Sequence, residues 1–290
     1  MANLPIVLVF GAQLTMYTYD WLLSISEEVE IVSARGGLTW PLAVYFVARA
    51  SELMRSLLLV LFTNAHLDTC QPIAAMLGVA VVLSISSTSL LFLLRVRAVY
   101  LKSTRITTVF GVLWLATVGI TVLTSLNLRA AHLHGARICT DEDPAKYTKM
   151  PVYATFVNDT IVFLAITYRL TADAAVGNDW RSRLLSVVRG KGLRRLSRSL
   201  LQSGQLYYGA TILFFFANLA VLDAPLIPTV PDHVILINMY TAFANMMACL
   251  VLRNVALGAV QAEHAPTGLS STALAAAFQL EPLAPGLLHD

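Results

Sequence analysis

The chain has 290 residues, 57% of them hydrophobic and 13% charged, with a formal net charge of +3. A soluble domain averages roughly 45–50% apolar and about 25% charged residues, so this chain lacks the polar surface to cover itself in water, and lipid is its expected solvent. So small a net charge, placed as described below, gives no reason to expect a nucleic-acid partner.

A helix crosses roughly 30 Å of hydrocarbon with about 20 residues. Seven stretches meet that length: 5–25, 39–63, 72–94, 106–127, 151–172, 203–223 and 233–253. They are apolar all round and longer than the alternating strands of about 9–11 residues that build a membrane barrel. The expected fold is therefore all-α: a polytopic seven-transmembrane-helix bundle over 1–254, then a cytoplasmic, mostly disordered tail over 255–290.

The first span carries Gln13, Thr15, Thr18 and Asp20. It opens without a basic residue and no A-x-A pattern follows, so it reads as a span rather than a cleaved leader. After it come Ser24, Ser26, Glu27, Glu28 and Glu30. Ser24 with Glu27 fits a capping box, which predicts a short interfacial helix ending near Gly36-Gly37. Span two holds Arg49, Glu52 and Arg55 at i, i+3 and i+6 on one broad face. Arg49 and Glu52 are spaced to pair within the helix, and Asp20 to reach Arg49 or water. Counting residues from the outer boundary puts Arg55 level with Asp159 of span five, a depth at which the two could meet. Ser84, Ser86, Ser87, Thr88 and Ser89 in span three are expected to let helices approach closely.

The loop over 128–150 mixes Asp141, Glu142 and Asp143 with Lys146 and Lys149, which suits a lid or a solvated loop. Asn158-Asp159-Thr160 matches a glycosylation pattern but lies inside span five, where it should be silent. From 181 to 198, Arg181, Arg183, Arg189, Lys191, Arg194, Arg195 and Arg198 alternate with leucine and valine, and Gly190 and Gly192 divide the segment in two. Such a segment can lie on anionic inner-leaflet lipids or dock a cytosolic partner. Asn218, Asn238 and Asn245 are polar positions on spans six and seven. Intramembrane polar groups usually face the bundle interior and pair. Asp20, Arg49, Glu52, Arg55, Asp159, Asn218 and Asn245 are thus either packing devices or the lining of a ligand pocket or ion path.

With the N-terminus outside, the inner segments hold 14 basic residues and the outer ones only Arg129, Arg137, Lys146 and Lys149. The positive-inside rule then sets the orientation as N-out, C-in. Under it Cys70 and Cys139 both face an oxidising compartment. A bridge between them would tie the 128–150 loop over the outer mouth. Cys249, inside span seven, reads as a packing residue.

All four lysines lie in loops, which argues against a retinal Schiff base. The histidines at 66, 132, 134, 233, 264 and 289 form no metal-ligand spacing. No G-x-S-x-G elbow or phosphate-binding glycine loop occurs. The expectation is a protein that is not an enzyme and carries no cofactor.

Several landmarks occur in a fixed order: Tyr19-Asp20-Trp21-Leu22-Leu23, Glu28-Val29-Glu30, Trp40, Arg49, Arg95-Val96-Arg97-Ala98-Val99-Tyr100 and Leu200 to Tyr208. This order resembles a family of seven-helix integral membrane proteins of mushroom-forming fungi, whose N-terminal region is catalogued as a domain of unknown function. The family supplies no activity, so the resemblance implies architecture and fungal origin. The layout also resembles a G-protein-coupled receptor: seven helices, N-out, a bridge from the third helix and a basic third inner loop. The leading expectation is a receptor-like multi-pass protein of the plasma membrane that binds a small ligand of unknown identity and contacts a G protein or other cytosolic partner. The alternatives are a transporter or channel using Arg49, Glu52, Arg55 and Asp159, and a structural or lipid-organising membrane protein.

Overall fold

The computed structural model describes residues 4–34, 36–64, 70–101, 103–127, 130–132, 139–141, 150–174, 213 and 230–264. Among these, six long helices and one small hairpin are present: α1 (Leu4–Ala34), α2 (Trp40–Asn64), α3 (Gln71–Val99), α4 (Thr104–Leu126), β1 (Ala130–His132), β2 (Cys139–Asp141), α5 (Met150–Ala174) and α6 (Val230–His264). The helical class expected from composition holds. Among the described residues, three helical segments are long and apolar enough to cross a membrane: Gln71–Val99, Thr104–Leu126 and Asn238–Gly258. The stretch expected as the sixth span, 203–223, lies outside the described residues apart from Leu213.

Short connections make the helices alternate in direction. Glycine ends the first: Gly36 takes φ +65°, and its N–H donates to Ser33 O at 3.3 Å, a backbone region that residues with a Cβ rarely enter. The α3–α4 turn closes with Leu101 at φ +49°. The Tyr100 and Leu101 N–H groups reach back to Val96 O and Ala98 O at 3.0 and 3.2 Å. α3 is the central helix, packed against α2, α4, α5 and α6, while α1 packs against α2 and α6. The main apolar cluster joins Tyr45, Ala48, Phe92, Val96, Phe110, Val162 and Cys249. The opposite side of α4, including Val109, Val112, Leu115 and Leu123, is exposed, as a lipid-facing surface would be. Trp114 Nε1–H donates to Ser86 O at 2.9 Å, and Gly78 lies against Ser125.

Two boundaries differ from the sequence reading. Ser24 is no helix cap: α1 runs unbroken from Leu4 to Ala34, so the expected separate interfacial helix is the last part of α1. Its Oγ–H donates to Trp21 O at 2.9 Å, an interior helical contact. α6 continues to His264 rather than ending near 253. Residues 255–262 are mostly Ala, Leu, Val and Gln with a single glycine, and no proline comes before Pro266, so nothing stops the helix. The hairpin was not anticipated either. β1 and β2 run antiparallel with Ala131 opposite Thr140, near α3 and α2 respectively.

A Cβ at Gly78 would sit 3.4 Å from Ser125 Cβ, so only a small residue fits. Gly78→Leu is expected to force α4 away from α3 and cost about 1–3 kcal/mol. Thermal unfolding of the purified variant tests this, and an unchanged Tm would show that the two helices do not need the close approach.

Candidate functional site

The interior of α1, α2, α3 and α6 contains a column of polar side chains. On α2 it runs from Tyr45 to Ser56, roughly 16 Å at 1.5 Å per residue. Three groupings follow one another along it.

The first centres on Arg49, which is 1% exposed. Its Nη2 donates to Asp20 Oδ2 at 2.6 Å. Its Nη1 is shared among Glu28 Oε1 (2.6 Å), Ser24 Oγ (2.7 Å) and Tyr45 Oη (2.7 Å). Glu28 also accepts from Tyr45 Oη–H at 2.6 Å and from Ser24 Oγ–H at 3.2 Å. The guanidinium lies 5.5 Å from the Trp21 ring centre and 5.7 Å from that of Tyr45, within cation–π range. Tyr17, Trp21, Ser24 and Glu28 recur at helical spacing, so one stripe of α1 faces Arg49. The Asp20 side chain is 28% exposed, so this grouping reaches the edge of the bundle. The expected Arg49–Glu52 pairing does not form. Arg49 turns toward α1, where two carboxylates, the Ser24 hydroxyl and the Trp21 ring outweigh one neighbour along its own helix.

The second grouping pairs Glu52, 0% exposed, with Arg55. Arg55 Nε donates to Glu52 Oε2 at 2.8 Å and Nη2 to Oε1 at 2.5 Å. Ser84 Oγ–H of α3 donates to Glu52 Oε2 at 2.6 Å. Arg55 also donates to the Asn238 side-chain oxygen and backbone oxygen on α6. Nearby, Gln13 Nε2–H reaches Ser56 Oγ at 3.4 Å, and Gln13 Oε1 is buried with no hydrogen-bond partner among the described residues.

Between these lies Asn245, with all its amide valences used. Its Nδ2 donates to Ala48 O at 3.2 Å and Thr88 Oγ1 at 2.7 Å. Its Oδ1 accepts from Tyr17 Oη–H at 2.6 Å, with Cys249 Sγ at 3.7 Å. One side chain of α6 thus ties α1, α2 and α3 together. A fourth contact lies apart: Asp159 of α5 accepts from Tyr240 Oη–H and Asn158 Nδ2–H, each at 3.2 Å. At one end of the bundle, Arg253 Nε lies 2.7 Å from Glu27 Oε2, joining α6 to α1.

The structure therefore brings Asp20 to Arg49, Glu52 to Arg55 and Asn245 into the same interior. It gives Arg55 and Asp159 other partners, in place of the contact that level depth allowed. Of the small α3 residues, Ser84 and Thr88 hold polar groups of other helices, while Ser86 and Ser87 bond back to their own helix. Ser24, Glu28, Tyr45 and Tyr17 were missed as members of the column, and Tyr240 as the partner of Asp159. Their helical spacing was the available signal. Cys70 is disulfide-bonded and Cys249 is a buried free thiol; the third cysteine, Cys139, falls on β2, whose side chains lie outside the described residues. Asn218 and the basic residues Arg181, Arg183, Arg189, Lys191, Arg194, Arg195 and Arg198 also lie outside them. No family model matches the chain, and no curated protein matches it.

Removing Arg49 strands two carboxylates. Arg49→Met is expected to destabilise the protein by about 3–5 kcal/mol, since breaking a buried ion pair from one side leaves an uncompensated charge. Adding Glu28→Gln should recover part of that loss. Thermal unfolding in lipid nanodiscs measures both, and a single variant as stable as the parent would remove Arg49 from the centre of the fold.

Proposed function

We propose that the chain is a multi-pass membrane protein of receptor-like layout, related in architecture to the fungal seven-helix proteins it resembles. In this reading a small ligand enters the bundle, and the change it causes passes to a cytosolic partner through the 96–105 and 173–202 segments. The observation that carries it is that, among the described residues, the buried charges of α1 and α2 bond to other helices and to each other. Such contacts hold the helices in one packing, and a ligand that takes over one partner shifts them to another; switching needs two discrete arrangements of this kind.

The orientation belongs to the same proposal. Arg95 and Arg97 close α3, Arg105 opens α4, Arg169 is near the end of α5 and Arg253 is on the last part of α6. The alternation of α1 to α5, with the Arg253–Glu27 contact for α6, puts all of them at the end of the bundle that carries the Gly36–Gly37 turn. That end is then cytoplasmic, and the disulfide at Cys70 lies at the other. Pairing of Cys70 with Cys139 would clamp the hairpin there. A Cys70–Cys139 cross-linked peptide is the expected result of non-reducing mass spectrometry, and a different partner for Cys70 would overturn that arrangement.

A transporter is the second reading. It is favoured by Asp159, a carboxylate deep in α5 with no cationic partner among the described residues. The two readings separate by experiment. Purified from a fungal host after nucleotide depletion, the protein is expected to bring down a heterotrimeric G-protein α subunit that nucleotide releases. Replacing Arg194, Arg195 and Arg198 by alanine should abolish the capture. Capture that ignores both nucleotide and these changes would sink the receptor reading. Loss of solute flux in reconstituted Asp159→Asn and Arg55→Ala proteins, with capture absent, would put the transporter in its place.

A further inference from the structure

The buried carboxylates are not served alike. Glu28 accepts from Arg49 and Tyr45 at 2.6 Å each. Glu52 accepts from Arg55 at 2.5 and 2.8 Å and from Ser84 at 2.6 Å. These are the short bonds expected of an ionised acceptor, about 2.5–2.9 Å. Asp159 is 6% exposed, yet its two donors are neutral and both stand at 3.2 Å. Arg55, the cation at similar depth, is held by Glu52 and Asn238.

Charge along the described interior runs the same way. Asp20, Glu28, Glu52 and Asp159 face two cations, Arg49 and Arg55. Asp20 is partly exposed and paired with Arg49, Glu28 and Glu52 have their arginines, so the unmet demand for positive charge falls on Asp159. An ionised carboxylate without a counter-charge is among the costliest groups to bury. Its surroundings add a second feature. Asp159 belongs to α5 and Tyr240 to α6, and both helices pack on α3. The long Tyr240–Asp159 bond therefore links two helices that pack on the same central helix.

We propose that Asp159 anchors a binding site for a small protonated amine between α5 and α6, with Tyr240 as its second contact. The inference rests on the receptor reading and names the ligand class of that reading. The amine N–H groups replace the two long neutral bonds with short charge-assisted ones, and its charge completes the count. Binding displaces Tyr240 from Asp159, which alters the contact between α5 and α6.

The test uses the full chain in nanodiscs with methylamine, benzylamine and tryptamine as probes and benzyl alcohol as the neutral control. A saturable rise in Tm is expected with at least one amine and not with the alcohol. Asp159→Asn should weaken that amine at least tenfold, and Tyr240→Phe several-fold. Should Asp159→Asn fold poorly, Asp159→Glu keeps the charge and is expected to retain amine binding. No response to any amine, an equal response to benzyl alcohol, or undiminished affinity in Asp159→Asn would each overturn the site. The last two would leave Asp159 a structural carboxyl group neutralised by a proton. G-protein capture, scored on the same preparation without ligand, is a separate readout: amine failure with capture intact rejects the ligand class alone, whereas loss of capture rejects the reading beneath it.

Discussion

A guanidinium placed among apolar helices has to find oxygen, and that requirement at Arg49 fixes much of this fold. Asp20, Ser24 and Glu28 come to it from α1 and Tyr45 from its own helix. Because the partners on α1 span more than two turns, they set the rotation and the height of α1 against α2 at once. A purely apolar seam could slide by a residue at small cost. This one cannot, since a shift would leave charge unmatched where water does not reach.

The remainder of the interior extends the same logic with smaller groups. Asn245 holds three neighbouring helices through neutral bonds, each worth about 0.6–2 kcal/mol in a membrane setting. Ser84 brings α3 to the Glu52–Arg55 pair. α3 can serve all its neighbours because its hydroxyls are short: they allow close approach and still offer a donor. The exposed faces carry none of this, and α4 turns a nearly continuous apolar surface outward. Polarity is thus distributed inside-out relative to a water-soluble bundle, which fits a lipid surrounding.

Length and hydropathy made the helices legible from composition, and the Arg49, Glu52 and Arg55 spacing marked the face of α2 that is buried. Pairing was less legible. Spacing of i, i+3 suggested Arg49 with Glu52, but the same spacing also fits Glu52 with Arg55, and only the position of α1 decides between them. Glu28 was hidden by its company. Beside Glu27 and Glu30 it reads as part of a polar loop, although its distance from Tyr17, Trp21 and Ser24 keeps it on the inner stripe. The Arg55–Asp159 contact does not form because level depth says nothing about which way two side chains point. The hairpin left little trace, since three-residue strands have no periodicity to read.

The length of α1 has a mechanical consequence. Its 31 residues extend about 46 Å at 1.5 Å per residue, well beyond roughly 30 Å of hydrocarbon. A lone helix of that length could bob vertically to suit its surroundings, but α1 is pinned to Arg49 and cannot. In a bilayer thinner than the helix, the mismatch would be absorbed by leaning. The half-exposed Glu27–Arg253 contact lies where that lean would be felt, in reach of salt. Were α1 to cross a bilayer, the thickness of that bilayer would act as a force on the α1–α6 joint.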